Sequence, residues 1–278
     1  MTQRLDSPCL IRPRSSRSPA TALEGTAKIR LLCFPYAGGA PSVFFGWPEL
    51  LGPEVDVIWV QLRGRGSRFL EKPLHDVKEI AEEVAAAVVK LDETPFCFYG
   101  HSLGALVAYE VARILRRDGH RQPGLLLMGA ARAPHLERIL PPLAHLPDRE
   151  FVDAIQTRYS GIPEAVLQDE ELMQLFLPVL RADFNAYEGY RHTSEPALDQ
   201  PIAAFAGSED PVVTVDAVNE WHRHTSAAFA TYTLPGDHFF LTSNRDRLVQ
   251  IVKQTLLNVT SISKDRSGEH DAMQEARM

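Results

Sequence analysis

The chain has 278 residues, of which 45% are hydrophobic and 23% are charged, so it can bury a sizeable core and is neither disordered throughout nor fibrous. Its net charge of -7 gives no general attraction for nucleic acid or anionic membrane. No apolar run approaches the roughly 20 residues that span a bilayer, and the first thirty residues lack the apolar stretch of a secretory signal. We expect a cytoplasmic protein without a nucleic-acid or membrane partner.

Both ends of the chain are polar. Residues 1–27 are rich in Arg, Ser and Pro, and their prolines are spaced so that no helix longer than two turns can persist. The end of the chain has no periodic apolar face. We therefore predict a disordered extension at 1–27, one domain at 28–260 and a disordered tail at 261–278.

Between these ends, short apolar runs alternate with helical patterns, which is typical of a mostly parallel sheet with crossover helices. Hydrophobicity within the runs is nearly continuous, as expected for strands that are covered by helices on both faces. The predicted strands are Ile29–Phe34, Val55–Leu62, Phe96–Tyr99, Leu125–Met128, Ile202–Ala206 and Phe229–Leu234. The pattern predicts an α/β fold with a central sheet.

Helical periodicity is clearest over Val77–Leu91, where apolar side chains recur every three or four positions and Asp76 can cap the first turn. A second helix, Leu103–Arg117, follows the third strand without a loop. The stretch from about 134 to 196 has no predicted strand and is mainly helical in pattern. We interpret it as an inserted helical lid.

The segment Gly100-His101-Ser102-Leu103-Gly104 places the pattern Gly-x-Ser-x-Gly between an apolar strand and a helix. Such a nucleophile elbow holds the serine in a strained turn, and its glycines let the neighbouring backbone pass closely. The Ser102 hydroxyl would then project above the carboxyl edge of the sheet. The alternative is a serine that merely caps the helix.

A serine hydroxyl is a weak nucleophile near neutral pH, so a histidine must accept its proton and a carboxylate must orient that histidine. In this architecture the partners follow late strands, in the chain order Ser, acid, His. Of the ten histidines, only His238 follows a late strand in a glycine-containing loop and precedes an apolar pair, so we assign it as the base. We expect His101 to be packed away from the nucleophile and His224 to lie on a surface helix.

The loop after the fifth predicted strand offers two acids, Glu209 and Asp210. Asp210 is favoured as the orienting acid because its strand-loop position matches and a proline stiffens the turn that follows it. Asp183 is a weaker alternative. Asp237 is unsuitable because it is adjacent to the predicted base, and adjacent side chains on one loop usually diverge. The other possibility for Asp210 is a turn residue that only binds local amides.

Acyl transfer also needs N–H donors for the oxyanion that forms during the reaction. One predicted donor is the backbone N–H of Leu103, at the positive end of its helix. The second is the N–H of Ala37, in the loop after the first strand, where Gly38-Gly39 lets backbone amides turn towards the site. The two glycines could instead form only a flexible turn or a phosphate cradle, but no nucleotide-binding glycine pattern is present.

Five segments together resemble the type II thioesterases of polyketide and nonribosomal peptide assembly lines. They lie within residues 28–257 and read Phe34-Pro35-Tyr36-Ala37-Gly38-Gly39, Gly100-His101-Ser102-Leu103-Gly104-Ala105, Arg132-Ala133-Pro134-His135, Leu180-Arg181-Ala182-Asp183-Phe184 and Gly236-Asp237-His238-Phe239-Phe240. The resemblance implies an α/β-hydrolase fold with a helical lid. It also implies hydrolysis of acyl groups from the phosphopantetheine arm of acyl or peptidyl carrier proteins, which clears aberrant acyl groups from the assembly line.

By this resemblance the nucleophile is Ser102, the acid Asp210 and the base His238, and the oxyanion amides are those of Ala37 and Leu103. Phosphopantetheine belongs to the partner carrier protein, and we expect no cofactor or metal in the enzyme itself. Three scattered cysteines agree, since they form no metal-binding pair.

The chain departs from the family pattern at two points. Arg63 stands where a proline is usual, and Gly129 stands where a serine is common.

Alternative functions are a chain-releasing, medium-chain hydrolase of acyl carrier proteins, a general carboxylesterase, and a catalytically inactive module that docks carrier proteins.

Overall fold

A central sheet of eight strands organises the protein. The computed structural model describes residues 2–5, 7–13 and 27–258. The strands are β1 Thr2–Arg4, β2 Leu10–Pro13, β3 Ile29–Phe34, β4 Val55–Val60, β5 Phe96–His101, β6 Leu126–Gly129, β7 Ile202–Gly207 and β8 Phe229–Leu234. They are arranged in the order β1-β2-β4-β3-β5-β6-β7-β8. Strands β3 to β8 are all parallel to one another, which confirms the predicted mostly parallel sheet.

The N-terminal segment differs from the predicted disorder. Strand β2 pairs antiparallel with β4, with Leu10 opposite Val60 and Ile11 opposite Trp59, and β1 pairs antiparallel with β2. Cys9 and both paired apolar residues of β2 are buried. Prolines exclude a long helix here but not a short strand that ends at a proline, so the prediction is wrong for residues 2–5 and 7–13. Residues 14–26 and the predicted tail at 261–278 lie outside the described residues.

Helices cover the two faces of the sheet, as its continuous hydrophobicity predicts. They are α1 Trp47–Leu51, α2 Val77–Val88, α3 Leu103–Arg117, α7 Val215–Asn219, α8 Phe240–Ser243 and α9 at 245–258. Leu32 and Phe34 of β3 belong to the cluster that contains α2 and α3, whereas Leu31 and Cys33 belong to the cluster with α1 and α9. The alternation arises because successive side chains of a strand point to opposite faces.

The N-terminus of α2 forms as predicted. Asp76 Oδ1 accepts hydrogen bonds from the N–H groups of Lys78 at 2.7 Å and Glu79 at 3.3 Å. The helix ends at Val88 rather than at Leu91, because the last residues tighten into a turn. Helix α3 has the predicted bounds, Leu103–Arg117.

The predicted lid is helical throughout its regular part. It contains α4 Asp148–Tyr159, α5 Glu164–Leu167 and α6 Glu170–Gly189. A small core of its own includes Phe151, Ile155, Leu180 and Phe184. None of the helices in the described part of the chain has the length and apolarity that crossing a membrane requires.

Candidate active site

Ser102 occupies the sharp turn between β5 and α3. Its backbone has φ 54° and ψ -116°, a conformation that costs energy for a residue with a side chain. Its N–H donates to the carbonyl oxygen of Gly129 on β6 at 2.8 Å. A Cβ atom at Gly104 would lie 2.2 Å from the carbonyl oxygen of Phe34, so only glycine allows α3 to begin this close to β3. The strained turn and the close approach match the predicted elbow.

A chain of hydrogen bonds joins three of the predicted site residues. Ser102 Oγ lies 3.0 Å from His238 Nε2, and His238 Nδ1 lies 2.7 Å from Asp210 Oδ2. A histidine whose Nδ1–H donates to a carboxylate has Nε2 free to accept the serine hydroxyl proton. The side chains of His238 and Asp210 are almost fully buried. The arrangement can therefore activate Ser102 as a nucleophile.

Asp210 is held at the end of β7 so that both carboxylate oxygens have donors. Oδ1 accepts from the N–H groups of Val212 at 2.8 Å and Val213 at 3.0 Å, while Oδ2 faces His238. Burial alone would raise the pKa of the Asp210 carboxyl, but the bond to His238, its charge and the two amides outweigh it, so the pKa is lowered. The carboxylate is ionised at neutral pH.

The other acids do not reach the histidine. Glu209 is exposed, and Asp237 Oδ1 accepts a bond from the Phe239 N–H at 2.8 Å. Asp183 is buried on the lid helix α6, where it binds the backbone of the loop that contains Gly38. Of the four candidate acids, the structure places only Asp210 within hydrogen-bond distance of His238.

His101 is buried, as expected, but it contacts the backbone of the histidine in the hydrogen-bond chain. Its Nε2 lies 2.7 Å from the carbonyl oxygen of His238, and its Nδ1 lies 3.1 Å from the hydroxyl of Tyr99. Burial, together with the nearby His238, lowers the pKa of His101 to about 3. The neutral ring therefore donates from Nε2 to the carbonyl and accepts at Nδ1 from the tyrosine. This support for His238 was not foreseen from the sequence.

The expectation that His224 lies on a surface helix is wrong. The ring is buried, its Nδ1 lies 2.9 Å from the hydroxyl of Tyr109, and its Nε2 lies 2.8 Å from Nδ1 of His135. The residue ends a short 3-10 turn, Glu220–His224, whose tighter winding brings this ring inward while His222 stays exposed.

The loop that carries Ala37 is fixed to the lid through a buried ion pair. Arg65 donates to both oxygens of Asp183, at 2.7 and 2.8 Å, and also to the carbonyl oxygen of Gly39 at 3.0 Å. The Gly38 N–H donates to Asp183 Oδ2 at 2.7 Å. Ala37 itself lines the cavity that contains Ser102. In the sequence, Asp183 stands out as a charged residue within the apolar pattern of α6. Nothing in that pattern indicates that its partner is Arg65.

The cavity at Ser102 has a volume of about 30 Å³ and is lined by lid and core residues, including Tyr36, Tyr159, Leu180, Tyr187 and Phe239. Leu103 follows Ser102 as the first residue of α3, where helix N–H groups have no partner within the helix.

Nowhere among the described residues do three or more His, Cys, Asp or Glu side chains group so that they could hold a metal ion.

Comparison with known proteins agrees with this architecture. The thioesterase domain model matches residues 29–256. Thioesterase PikA5 of Streptomyces venezuelae is 43% identical over 233 residues, which cover 82% of this chain and 81% of PikA5. The structure of RedJ, a thioesterase from the prodiginine pathway of Streptomyces coelicolor, has a TM-score of 0.77 at 40% identity and covers 87% of this chain and 91% of RedJ. The type II thioesterase BorB from the borrelidin cluster has a TM-score of 0.75 at 31% identity, with 88% and 94% covered. The chain belongs to the thioesterase family and has its α/β-hydrolase fold.

Proposed function

We propose that this thioesterase hydrolyses acyl thioesters from the phosphopantetheine arm of acyl or peptidyl carrier proteins, and that it removes aberrant acyl groups from a polyketide or nonribosomal peptide assembly line. Ser102 is the nucleophile, His238 the base and Asp210 the orienting acid. The continuous hydrogen-bond chain among these three side chains carries the proposal. The similarity to RedJ and BorB, both thioesterases of biosynthetic pathways or clusters, supports the substrate class.

In the first half of the reaction, Ser102 Oγ attacks the thioester carbonyl carbon while its proton passes to His238 Nε2. The oxyanion of the tetrahedral intermediate accepts hydrogen bonds from the N–H groups of Ala37 and Leu103. Each such donor typically stabilises the transition state by about 3 kcal/mol. The C–S bond then breaks. His238 returns the proton to the departing sulfur, which leaves an acyl-enzyme ester and the free thiol of the arm.

In the second half, water attacks the ester carbonyl and gives a proton to His238, which passes it to Ser102 Oγ as the C–O bond breaks. A thiol has a pKa near 8.5 and leaves with little help, whereas the serine alkoxide is a much poorer leaving group. The acid role of His238 is therefore more important in deacylation than in acylation. Asp210 keeps the imidazole in the required tautomer during both halves.

Movement of the lid would widen the approach to Ser102. The cavity beside the hydroxyl is small, with a volume of about 30 Å³, so a long acyl chain would not fit within it. Leu180 and Phe184 of α6 form part of the wall, so displacement of this helix would enlarge the site. The extent of this displacement would set the length of acyl chain that fits.

The test is release of thiol from carrier proteins loaded with acetyl, propionyl and longer acyl groups, measured for the wild type and Ser102→Ala. We expect wild-type turnover and a loss of about four to six orders of magnitude in the variant. Thermal unfolding of both proteins checks that the variant is folded. Oxygen esters of the same acyl groups are measured in parallel. The comparison shows whether the enzyme prefers a thiol or an alcohol as the leaving group.

Three results would contradict the proposal. A large preference for oxygen esters would indicate a general carboxylesterase. A strict preference for medium-length acyl groups would indicate a chain-releasing hydrolase. If the wild type released no thiol and Ser102→Ala changed nothing, the protein would be an inactive docking module.

A further inference from the structure

A second cavity lies beside the catalytic one, between the loop after β6 and the end of α6. Its volume is about 440 Å³, and its lining includes the basic residues Arg132, His135, Arg138, Arg191 and His192, with Glu137 as the one carboxylic acid among the lining residues. A smaller adjoining cavity is lined by Arg132, Arg138 and Arg158, together with Glu188. We call these four arginines the arginine cleft. They outnumber the two acids, so the cleft is positively charged.

None of the four arginines forms a salt bridge with a carboxylate in the described part of the chain. Arg138 donates to the carbonyl oxygen of Tyr187, Arg158 to that of Pro141, and Arg191 to those of Glu188 and Tyr190. The Nε of Arg132 is buried and has no hydrogen-bond partner among the described residues. By contrast, Arg65, Arg113 and Arg181 elsewhere in the chain each bind a carboxylate.

The two acids that line the cleft do not neutralise it. The carboxylate of Glu188 accepts hydrogen bonds from the N–H groups of Leu143 at 2.6 Å and Ala144 at 3.0 Å, so it is engaged with the backbone. Glu137 is exposed. A partly buried guanidinium without a carboxylate partner is costly, and an anion bound in the cleft would compensate this cost. The planar fork of arginine donors is especially suited to phosphate oxygens.

The arginine cleft is continuous with the site at Ser102. Tyr187 lines the catalytic cavity and both cavities of the cleft, and Tyr159 lines the catalytic cavity and the smaller one. Arg132 also follows closely after Gly129, whose carbonyl oxygen accepts the Ser102 N–H at 2.8 Å. An anionic group held in the cleft can therefore be part of the same molecule that places a carbonyl at Ser102.

We propose that the arginine cleft binds the phosphate group of the substrate's phosphopantetheine arm and thereby directs the thioester towards Ser102. The inference rests on the proposed function, because it assumes a thioester on such an arm. In that substrate the phosphate is at one end of the arm and the thioester sulfur is at the other. Phosphate binding then orients the arm before the carbonyl reaches the nucleophile.

The experiment compares two soluble substrates that carry the same acyl group, acyl-pantetheine and acyl-4′-phosphopantetheine. For each protein we measure the ratio of the two kcat/KM values, so a general loss of activity cancels. The wild type should prefer the phosphorylated substrate by about 10- to 100-fold, the range expected when hydrogen bonds to a charged group are gained. In the double variant Arg132→Gln/Arg138→Gln the ratio should fall to near one.

Two further variants define the specificity of the effect. Arg247 is exposed and lines none of the three cavities, so Arg247→Gln should keep the wild-type ratio. Arg132→Lys/Arg138→Lys keeps the charge and should retain part of the preference, and it replaces the glutamine variant if that variant does not fold.

Wild-type ratios near one, or a preference that survives in the glutamine variant, would overturn the proposal. Carrier protein without its arm is a further competitor. If it inhibits the wild type but not the double variant, the arginines recognise carboxylates on the carrier surface, and the phosphate assignment is wrong. If the wild type hydrolyses neither substrate nor acyl-loaded carrier protein, the proposed function itself fails, which is a different outcome.

Discussion

The carboxylate of Asp183 on the lid accepts a hydrogen bond of 2.7 Å from the backbone N–H of Gly38. Because Arg65 binds the same carboxylate through two nitrogens, the loop with the proposed oxyanion donor Ala37 is fixed to α6 by a buried charge pair. Movement of the lid and alignment of this loop are therefore coupled.

The coupling predicts separate effects on stability and on turnover. Asp183→Asn leaves the Arg65 guanidinium buried without a counter-charge and should lower the free energy of unfolding by about 3 kcal/mol. The double variant Arg65→Met/Asp183→Leu removes both charges and should regain most of that stability, yet kcat should remain about 10- to 100-fold low because Gly38 has lost its acceptor. Chemical denaturation and thioester kinetics measure the two quantities.

The control for that experiment is the pair on the lid between the exposed Asp148 and the half-buried Arg181. Asp148→Asn should change the free energy of unfolding by less than about 1 kcal/mol. Wild-type kcat in the charge-free double variant would show that the Gly38 bond has no part in turnover.

Because Asp210 is assigned as the acid, substitution of Asp210 should lower kcat far more than substitution of Asp237 on the neighbouring loop. Asp210→Asn should lower kcat by about three to four orders of magnitude, since an amide cannot hold the imidazole of His238 in the tautomer that accepts the Ser102 proton. Asp237→Asn keeps an oxygen for the Phe239 N–H and should lose less than tenfold. Steady-state thioester hydrolysis compares the two variants. Equal losses would refute the assignment of Asp210.

Gly129 makes room for the hydrogen bond between Tyr99 and His101. A Cβ atom at this position would lie 2.7 Å from the tyrosine hydroxyl oxygen and 2.8 Å from the imidazole Nδ1. Gly129→Ser should therefore destabilise the protein, and adding Tyr99→Phe should recover part of the loss because the clashing oxygen is removed. Denaturation of the two single variants and the double variant should show a coupling of about 1 to 3 kcal/mol, whereas additive effects would contradict this explanation.

Stability should fall as the pH is lowered from 7 to 5. Burial lowers the pKa of His101 to about 3, and burial with the nearby His192 and His135 lowers the pKa of His224 to about 3. The unfolded chain, with an ordinary histidine pKa near 6.5, binds more protons in this range, so the free energy of unfolding decreases with falling pH. Each residue should contribute about 2 kcal/mol over these two pH units.

Denaturant titrations at several pH values measure this dependence, before carboxylates with ordinary pKa values near 4 begin to titrate. His224→Gln removes one of the contributing histidines and should reduce the loss of stability between pH 7 and 5 by about 2 kcal/mol. The exposed neighbour His222 is the matched control, and His222→Gln should leave the slope unchanged. A free energy of unfolding that is constant from pH 7 to 5 would show that both buried rings titrate normally.

Much of the sheet was predictable because its strands are nearly continuous apolar runs. The predicted Ile29–Phe34 and Phe229–Leu234 match the structure at both ends. The strand Leu10–Pro13 was missed because its apolar run is short and lies among prolines and arginines, and its burial depends on β4, which is distant in the chain. Local composition does not reveal that kind of pairing.

The spacing of residues by itself determined the elbow at Ser102 and the late-strand loops that hold Asp210 and His238, because strand, turn and helix signals act over a few neighbouring residues. Only the tertiary structure decided which distant groups meet. The bonds between Asp183 and Arg65 and between His101 and His238 join residues 118 and 137 positions apart. Such partners are selected by the need to satisfy charges and polar atoms once they are buried, and that need arises only when the chain is folded.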